Sequence, residues 1–360
     1  ENGNLVLLKN KRMYFYPHYQ DDQLVSIQLV VKETFTYGDN EADNESLASG
    51  KYNVTELYTF EGKDVLVPNE YKSFDADNNV VIDKSFLVDQ PDFFTIDANQ
   101  NLLVSKGNYV IADKGVIQPQ SAMVIIDYHT GELKALVGGR NITGQRVFNR
   151  AINPRQPGSS IKPLSVFTPA IDSGRYTAAT VTDDRPVYLL GDPSVRWPLN
   201  WYEAYSQYYK HWGLVTLRES VQWSINVTAA LIAQDLGVDT SLEYLQKFGI
   251  STLVTSGSTS DANIAAVALG GMTKGVTPLD LTNAYGAIAN KGVLNDVITY
   301  KTVKNSKGEI LLQNESKQTY VVDENVAYIV QDMMKTSVEA GVATPAKLSA
   351  NNDIISVAGK

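Results

Sequence analysis

The sequence predicts an α+β fold in which helices pack on an antiparallel sheet, preceded by a small β-rich domain. Three observations carry this expectation. Up to about residue 116, short apolar or alternating runs such as "LVSIQLVVK" and "NYVIADKGVI" are separated by Asn-, Asp- and Gly-rich stretches, "YGDNEADNESLASGKYN" among them. Next, "QPQSAMVIIDYHTGELKALVGG" reads as a β-hairpin, with strands at 122–127 and 132–137 around a turn containing Thr130 and Gly131. From Ser159 onward the pattern is mostly helical, in segments that open on Ser, Thr or Asp and close on Gly.

Taken in order, residues 1–116 are expected to form an accessory β domain without catalytic spacing, the acidic loop at 39–49 included. Residues 117–360 form the second domain. Its helices are expected in "SSIKPLSVFTPAIDSG", "TLRESVQWS", "NVTAALIAQDLG", "DTSLEYLQKFG", "TPLDLTNAYGAIANKG" and "DENVAYIVQDMMKTSVEAG", and "GEILL" suggests another hairpin arm. Two domains suit a chain of 360 residues, and 43% hydrophobic content is ample for their cores.

The composition narrows the function. A net charge of -9 argues against a nucleic-acid binder. The absence of cysteine excludes disulfides, thiol catalysis and zinc–thiolate sites, and suits an exported bacterial protein. No apolar run approaches the roughly 18–20 residues of a membrane span. The chain opens on Glu1 rather than Met, which leaves room for a signal or anchor upstream. The three histidines, His18, His129 and His211, have no metal-ligand spacing and no context suggesting a Ser-His-Asp triad, so structural or surface roles are expected, with no metal and no cofactor.

That leaves a serine activated by a lysine. In "RQPGSSIKP", Ser159 and Lys162 are three residues apart and share one face of a helical turn. A hydroxyl needs a nearby base, and a lysine serves only when neutral, with its pKa brought from about 10.4 to near 7. Burial and a neighbouring cation are the two routes to that shift. The ordinary alternative is a capping serine followed by a solvated lysine. Ser160 is a second candidate nucleophile, but two residues from the lysine it faces elsewhere on the helix. "SIN", Ser224 to Asn226, lies between two helical runs and can direct a hydroxyl and an amide into one cleft. A second S-x-N at 349–351, in "LSANND", reads as a surface loop. The chain closes on "SVAGK", ending at Lys360.

"RQPGSSIKP", then "SIN", then a strand ending in A-G-K resembles the ordered motif set of penicillin-binding proteins: S-x-x-K, S-x-N and K-T-G. "ELKALVGGR", "FNRA", "TLRES" and "ALGGMTKGVTPLDLTNAYGAIANKG" resemble class A, bifunctional members, and the likeness runs from about residue 117 to 360. It implies a β-lactamase/transpeptidase-like fold and a serine D,D-transpeptidase that cross-links peptidoglycan stem peptides ending in D-Ala-D-Ala on nascent glycan strands. β-Lactams would acylate the same serine. Ser159 would be the acylated nucleophile and Lys162 its base. Ser224 would shuttle the proton to the leaving amine, Asn226 would hold the substrate backbone, and Lys360 would be the lysine of K-T-G, helping to keep Lys162 neutral. The resemblance also implies a glycosyltransferase half and a membrane-anchoring helix upstream, an extracytoplasmic location, possible wall-synthesis partners, and a natural chain that continues past Lys360 with Thr-Gly. A hydrolase of the D,D-carboxypeptidase or β-lactamase kind, and a non-catalytic β-lactam sensor, are the competing readings. The class A-like stretches and the long β-rich domain favour the transpeptidase.

Overall fold

The computed structural model describes residues 5–7, 13–20, 23–31, 57–60, 63–74, 80–82, 84–98, 101–111, 116–140, 147–189, 191–205, 210–257, 259–350 and 353–360. They fall into two compact units, residues 1–120 with 140–145, and residues 121–139 with 146–360.

The first unit is built of short antiparallel strands. Met13–Gln20 and Gln23–Val31 form a hairpin, extended by Val80–Ile82 and Lys72–Phe74 into a four-stranded sheet. Leu5–Leu7, Leu102–Val104 and Phe94–Ile96 form a second sheet. The core is aromatic: Phe86, on the short helix Lys84–Asp89, meets Phe93 edge-on at 4.8 Å between centroids, in one cluster with the fully buried Leu102 and Val104. His18 lies in the first strand of the four-stranded sheet. The loop at 39–49 lies outside the described residues.

The second unit begins with the expected hairpin, Met123–Asp127 paired with Glu132–Val137. Gly131 closes the turn with φ +74°, where an added Cβ would lie 2.3 Å from the Asp296 carbonyl oxygen, so only glycine fits. Helix Pro278–Ala289 lies against the first strand, and Gly286 lets it approach Tyr128. The helices Leu217–Gln222, Asn226–Leu236, Val238–Lys247 and Glu324–Ala340 fall where the patterns put them. "GEILL" supplies strand Ile310–Gln313, paired with Thr302–Lys304. No helix among the described residues is long and apolar enough to cross a membrane.

Two stretches differ from expectation. "SSIKPLSVFTPAIDSG" is not one α-helix. It runs as a 3₁₀ turn Gly158–Ile161, a π-helical turn Pro163–Phe167 and an α-turn Thr168–Asp172. Pro163 and Pro169 lack N–H groups, so a continuous i→i−4 ladder cannot form through them. The Thr168 hydroxyl instead donates to the Pro163 carbonyl at 2.7 Å. The "LSANND" segment is a hairpin arm rather than a loop, Leu348–Ala350 pairing with Asp353–Ile355; Asn351 lies outside the described residues.

The core of the second unit surrounds the Ser159 segment. Ile161, Leu164, Val166 and Phe167 are fully buried among residues of the surrounding helices. Behind this segment runs the loop after helix Ile264–Leu269. Asn263 caps that helix, accepting from the Ala266 N–H at 2.9 Å, and Gly270 ends it in the left-handed region at φ +75°. A Cβ on Gly270 would stand 2.3 Å from the Gly158 carbonyl oxygen, whereas one on Gly158 (φ +57°) would meet nothing within 4 Å.

These two glycines are therefore expected to respond differently to alanine. Gly158→Ala should cost only the left-handed backbone penalty, about 1–2 kcal/mol. Gly270→Ala should lose about 1–3 kcal/mol more, because rigid backbone must move. Urea unfolding of both variants measures the difference, and equal losses would contradict the packing argument.

Candidate active site

The Ser159 turn is fixed from below before any chemistry enters. Arg155 exchanges backbone hydrogen bonds with Val276 (3.1 and 2.8 Å), and Gln156 Nε2 donates to the Met272 carbonyl at 3.3 Å. A 3₁₀ turn has about three residues per turn, so Ser159 and Lys162 eclipse each other more closely than in an α-helix. The two serines part company. Ser160 Oγ donates to the Pro157 carbonyl at 2.5 Å, and the Ser160 carbonyl accepts the buried Tyr285 hydroxyl at 2.7 Å. Ser159 opens on a pocket of about 500 Å³, lined with it by Trp201, Ser224, Asn226 and Val342. Its hydroxyl has no hydrogen-bond partner among the described residues.

Lys162 is completely buried. Its Nζ donates to Asn226 Oδ1 (2.6 Å), the Ser224 carbonyl (3.0 Å) and the Ile225 carbonyl (3.3 Å). Burial holds its pKa well below the ordinary lysine value, and the charge of Lys360 lowers it further. A neutral amine has two N–H groups and one lone pair, so deprotonation releases one of the three contacts. The bond to Ile225 is the longest of them.

All three acceptors of Lys162 come from the break between two helices. Leu217–Gln222 ends, Ser224 turns the chain at φ +55°, and Asn226 opens the next helix. A left-handed serine costs about 1–2 kcal/mol, which the surrounding packing must sustain. The turn is tied by Ile225 N–H donating to the Ser220 carbonyl at 3.1 Å. Asn226 Nδ2 donates to the Leu199 carbonyl at 2.8 Å.

Lys360 arrives from the far end of the chain. Residues 356–360 have no ladder partner among the described residues, so the strand expected to end in A-G-K is not formed there. The segment is held by Gly359 N–H to the Met334 carbonyl (3.3 Å) and by Lys360 Nζ to the Val221 carbonyl (2.9 Å). Burial pushes the Lys360 pKa down to about 7.

The five residues singled out in the sequence thus gather around one region. Ser159, Ser224 and Asn226 line the pocket, Lys162 lies beneath it, and Lys360 acts on Lys162 through its charge. Sequence reasoning missed Trp201 and Val342 in the pocket wall, and Asn200 and Asp184 behind it; none belongs to a catalytic spacing. His129 sits on an exposed turn against Tyr128, and His211 lies between Arg196 and Asp184. Neither lines the pocket. Among the described residues no cluster of His, Asp and Glu could hold a metal.

The penicillin binding protein transpeptidase domain matches residues 121–360. The chain belongs to the penicillin-binding protein transpeptidase family. Penicillin-binding protein 1A of Clostridium acetobutylicum is 32% identical over 327 residues, which cover 86% of this chain and 40% of that relative. The protein of the same name from Clostridium novyi is 32% identical over 337 residues, covering 92% and 34% respectively. The chain therefore spans well under half the length of these relatives. The crystal structure of penicillin-binding protein 1A from Haemophilus influenzae aligns with a TM-score of 0.55 and 20% identity over 80% of this chain and 52% of that one, a likeness of fold. The α+β class read from the sequence and the resemblance to class A members both stand.

The two depressed lysines make stability depend on pH in a defined direction. An unfolded lysine titrates near pH 10.4, so above the folded-state pKa the unfolded chain binds the extra proton and stability rises with pH. Each such lysine contributes up to about 1.4 kcal/mol per pH unit in that window. For Lys162, held well below the ordinary lysine value, the window runs from that lowered pKa up to about pH 10.4, and it is read between pH 7 and 9. Lys162→Met should be most favourable relative to wild type at pH 7 and lose that advantage toward pH 9. Urea unfolding at stepped pH reads it, and a difference that stays flat with pH would show that Lys162 is not held neutral.

Proposed function

We propose that this chain is the transpeptidase part of a class A penicillin-binding protein and cross-links peptidoglycan stem peptides by acyl transfer. Ser159 Oγ attacks the carbonyl carbon of the penultimate D-Ala and Lys162 takes the hydroxyl proton. The proton passes by way of Ser224 to the amine of the departing terminal D-Ala as the C–N bond breaks. The Ser159 ester is then attacked by an amine from a neighbouring stem, which gives up its proton as the new amide forms and Ser159 regains its own. Asn226 offers its amide to the substrate backbone. Burial keeps Lys162 unprotonated, and the positive charge of Lys360 helps. A β-lactam would acylate Ser159 by the same attack, its ring nitrogen taking the proton.

The observation that supports this reading most directly is Lys162. A lysine fully buried beneath the Ser159 pocket, and bonded to three atoms of the "SIN" turn, is arranged as a base rather than as a surface cation. Pro157, which receives the Ser160 hydroxyl, argues against Ser160 as the nucleophile. For the whole protein, the relatives' greater length supports an upstream glycosyltransferase half and membrane anchor, with this part on the extracytoplasmic face. Residues 1–116 then serve as the accessory domain between the two halves, and 117–360 as the transpeptidase.

Labelling by a fluorescent penicillin tests the assignment. Ser159→Ala should lower the labelling rate by at least about a thousandfold, and Ser160→Ala should stay within about threefold of wild type. The reverse pattern would move the nucleophile to Ser160. With a synthetic stem peptide and an amine acceptor, dimer should form faster than free D-Ala is released. Hydrolysis alone would make the protein a carboxypeptidase, and labelling without peptide turnover would make it a sensor.

A further inference from the structure

Behind the pocket, side chains from three segments are linked end to end. Asp184 closes strand Val181–Asp184, and Asn200 precedes the turn Trp201–Ala204; both are buried. Asn200 Nδ2 donates to Asp184 Oδ1 at 2.8 Å. Asn200 Oδ1 accepts the backbone N–H groups of Asn226 (3.0 Å) and Val227 (3.1 Å), the first two residues of helix Asn226–Leu236. Asp184 Oδ2 accepts from the Trp212 N–H at 2.7 Å and from the Tyr202 hydroxyl.

A carboxamide has nearly the same shape either way round and opposite hydrogen-bonding character at its two ends. Asn200 alone could turn either end toward the helix. An ionised carboxylate only accepts, so Asp184 forces Nδ2 toward itself and leaves Oδ1 facing the helix. The orphan N–H groups of that helix need such an acceptor, because Ile225, in the capping position, makes no side-chain cap. With its first turn pinned, Asn226 presents Oδ1 to Lys162 and Nδ2 to the Leu199 carbonyl. The two ends of Asn226 cannot be exchanged either, since Leu199 offers only an acceptor.

We infer that Asp184, acting through the amide of Asn200, is a positioning residue for Asn226 and so for the Lys162 amine. The inference rests on the acyl-transfer reading above, in which Asn226 and Lys162 serve Ser159. Neither Asp184 nor Asn200 lines the pocket, so the effect passes through orientation rather than substrate contact.

The chain of donors and acceptors dictates a reciprocal test. Asp184→Asn gives Asn200 a partner that no longer fixes which end faces the helix. Asn200→Asp sets two carboxylates against each other. The double variant Asp184→Asn/Asn200→Asp restores the pairings named above and gives up the carboxylate that Asp184 presents to His211 Nδ1 at 3.5 Å. The carboxylate now at position 200 accepts the helix N–H groups, and the amide now at position 184 donates to it. The oxygen of that amide still accepts from Trp212 and Tyr202.

Two readouts are taken on all four proteins, alongside thermal melts: the rate of fluorescent-penicillin acylation at Ser159, and hydrogen-exchange protection of the Asn226 and Val227 amides. Each single variant should lose about tenfold or more in both, and the double variant should return to within about threefold of wild type. Singles that fail to fold beside a folded, acylating double variant support the same conclusion. A double variant no better than the worse single, or singles that match wild type, would overturn it. If Ser159 of the wild type is never acylated, the acyl-transfer reading fails with the functional half of this inference, while exchange protection still decides whether Asp184 sets the cap.

Discussion

Everything in the second unit that bears on chemistry depends on one costly feature, a lysine amine sealed from water. The effective penalty for burying an ammonium ion is several kcal/mol. Fully enclosed, Lys162 escapes most of that cost by giving up its proton, which is also what a base requires. Its three acceptors satisfy the amine without neutralising it, since two are backbone carbonyls and one is a carboxamide. A carboxylate in any of these places would have restored the proton. The selection of neutral acceptors is therefore the property that sets the site's electrostatics.

The acceptors are held where they are by strain supported from elsewhere. Ser224 keeps a left-handed backbone because both flanking helices are anchored. The end of helix Leu217–Gln222 is tied to the C-terminal end of the long helix Glu324–Ala340. The Gln222 carbonyl accepts the Val342 N–H (3.1 Å) and the Ser337 hydroxyl (3.3 Å), and Gln222 Nε2 donates to the Ala340 carbonyl at 2.8 Å. Arg218 adds bonds to Asp332 and to the Thr336 hydroxyl. Gly341 makes this approach possible, since a Cβ there would lie 2.2 Å from the Gln222 oxygen. Val342, next in the chain, then forms part of the pocket wall. Long-range packing and local strain meet within a few residues of the pocket.

Much of this was legible in the sequence, for reasons that can be named. The helices Val238–Lys247 and Glu324–Ala340 carry apolar periodicity, and glycines at 237, 249 and 341 mark their ends within a few residues. Ser159, Lys162, Ser224 and Asn226 stood out because each pair sits within one turn of chain. The irregular helix after Ser159 was misread because apolar spacing says nothing of ladder bonds that Pro163 and Pro169 cannot make. Asn200 and Asp184 were invisible for a different reason. Asn200 does its work on Asn226, which only the folded chain brings near, and an isolated Asn before "WYEAY" carries no periodic signal. The partner of the Lys360 amine is likewise a backbone carbonyl, at Val221, and no side-chain pattern can announce a carbonyl.

The two lysines also divide the burden of charge between them. Lys360 has one acceptor and retains some access to solvent, whereas Lys162 has three acceptors and none. Hydrogen bonds alone would place a proton on Lys162. Desolvation outweighs them, and it leads the causes of depression for both amines. Burial lowers the pKa of both amines, Lys360 to about 7 and Lys162 well below the ordinary lysine value. A proton on Lys360 opposes one on Lys162 through their mutual repulsion. Desolvation and that repulsion act on Lys162 together, whereas Lys360 is lowered by desolvation alone.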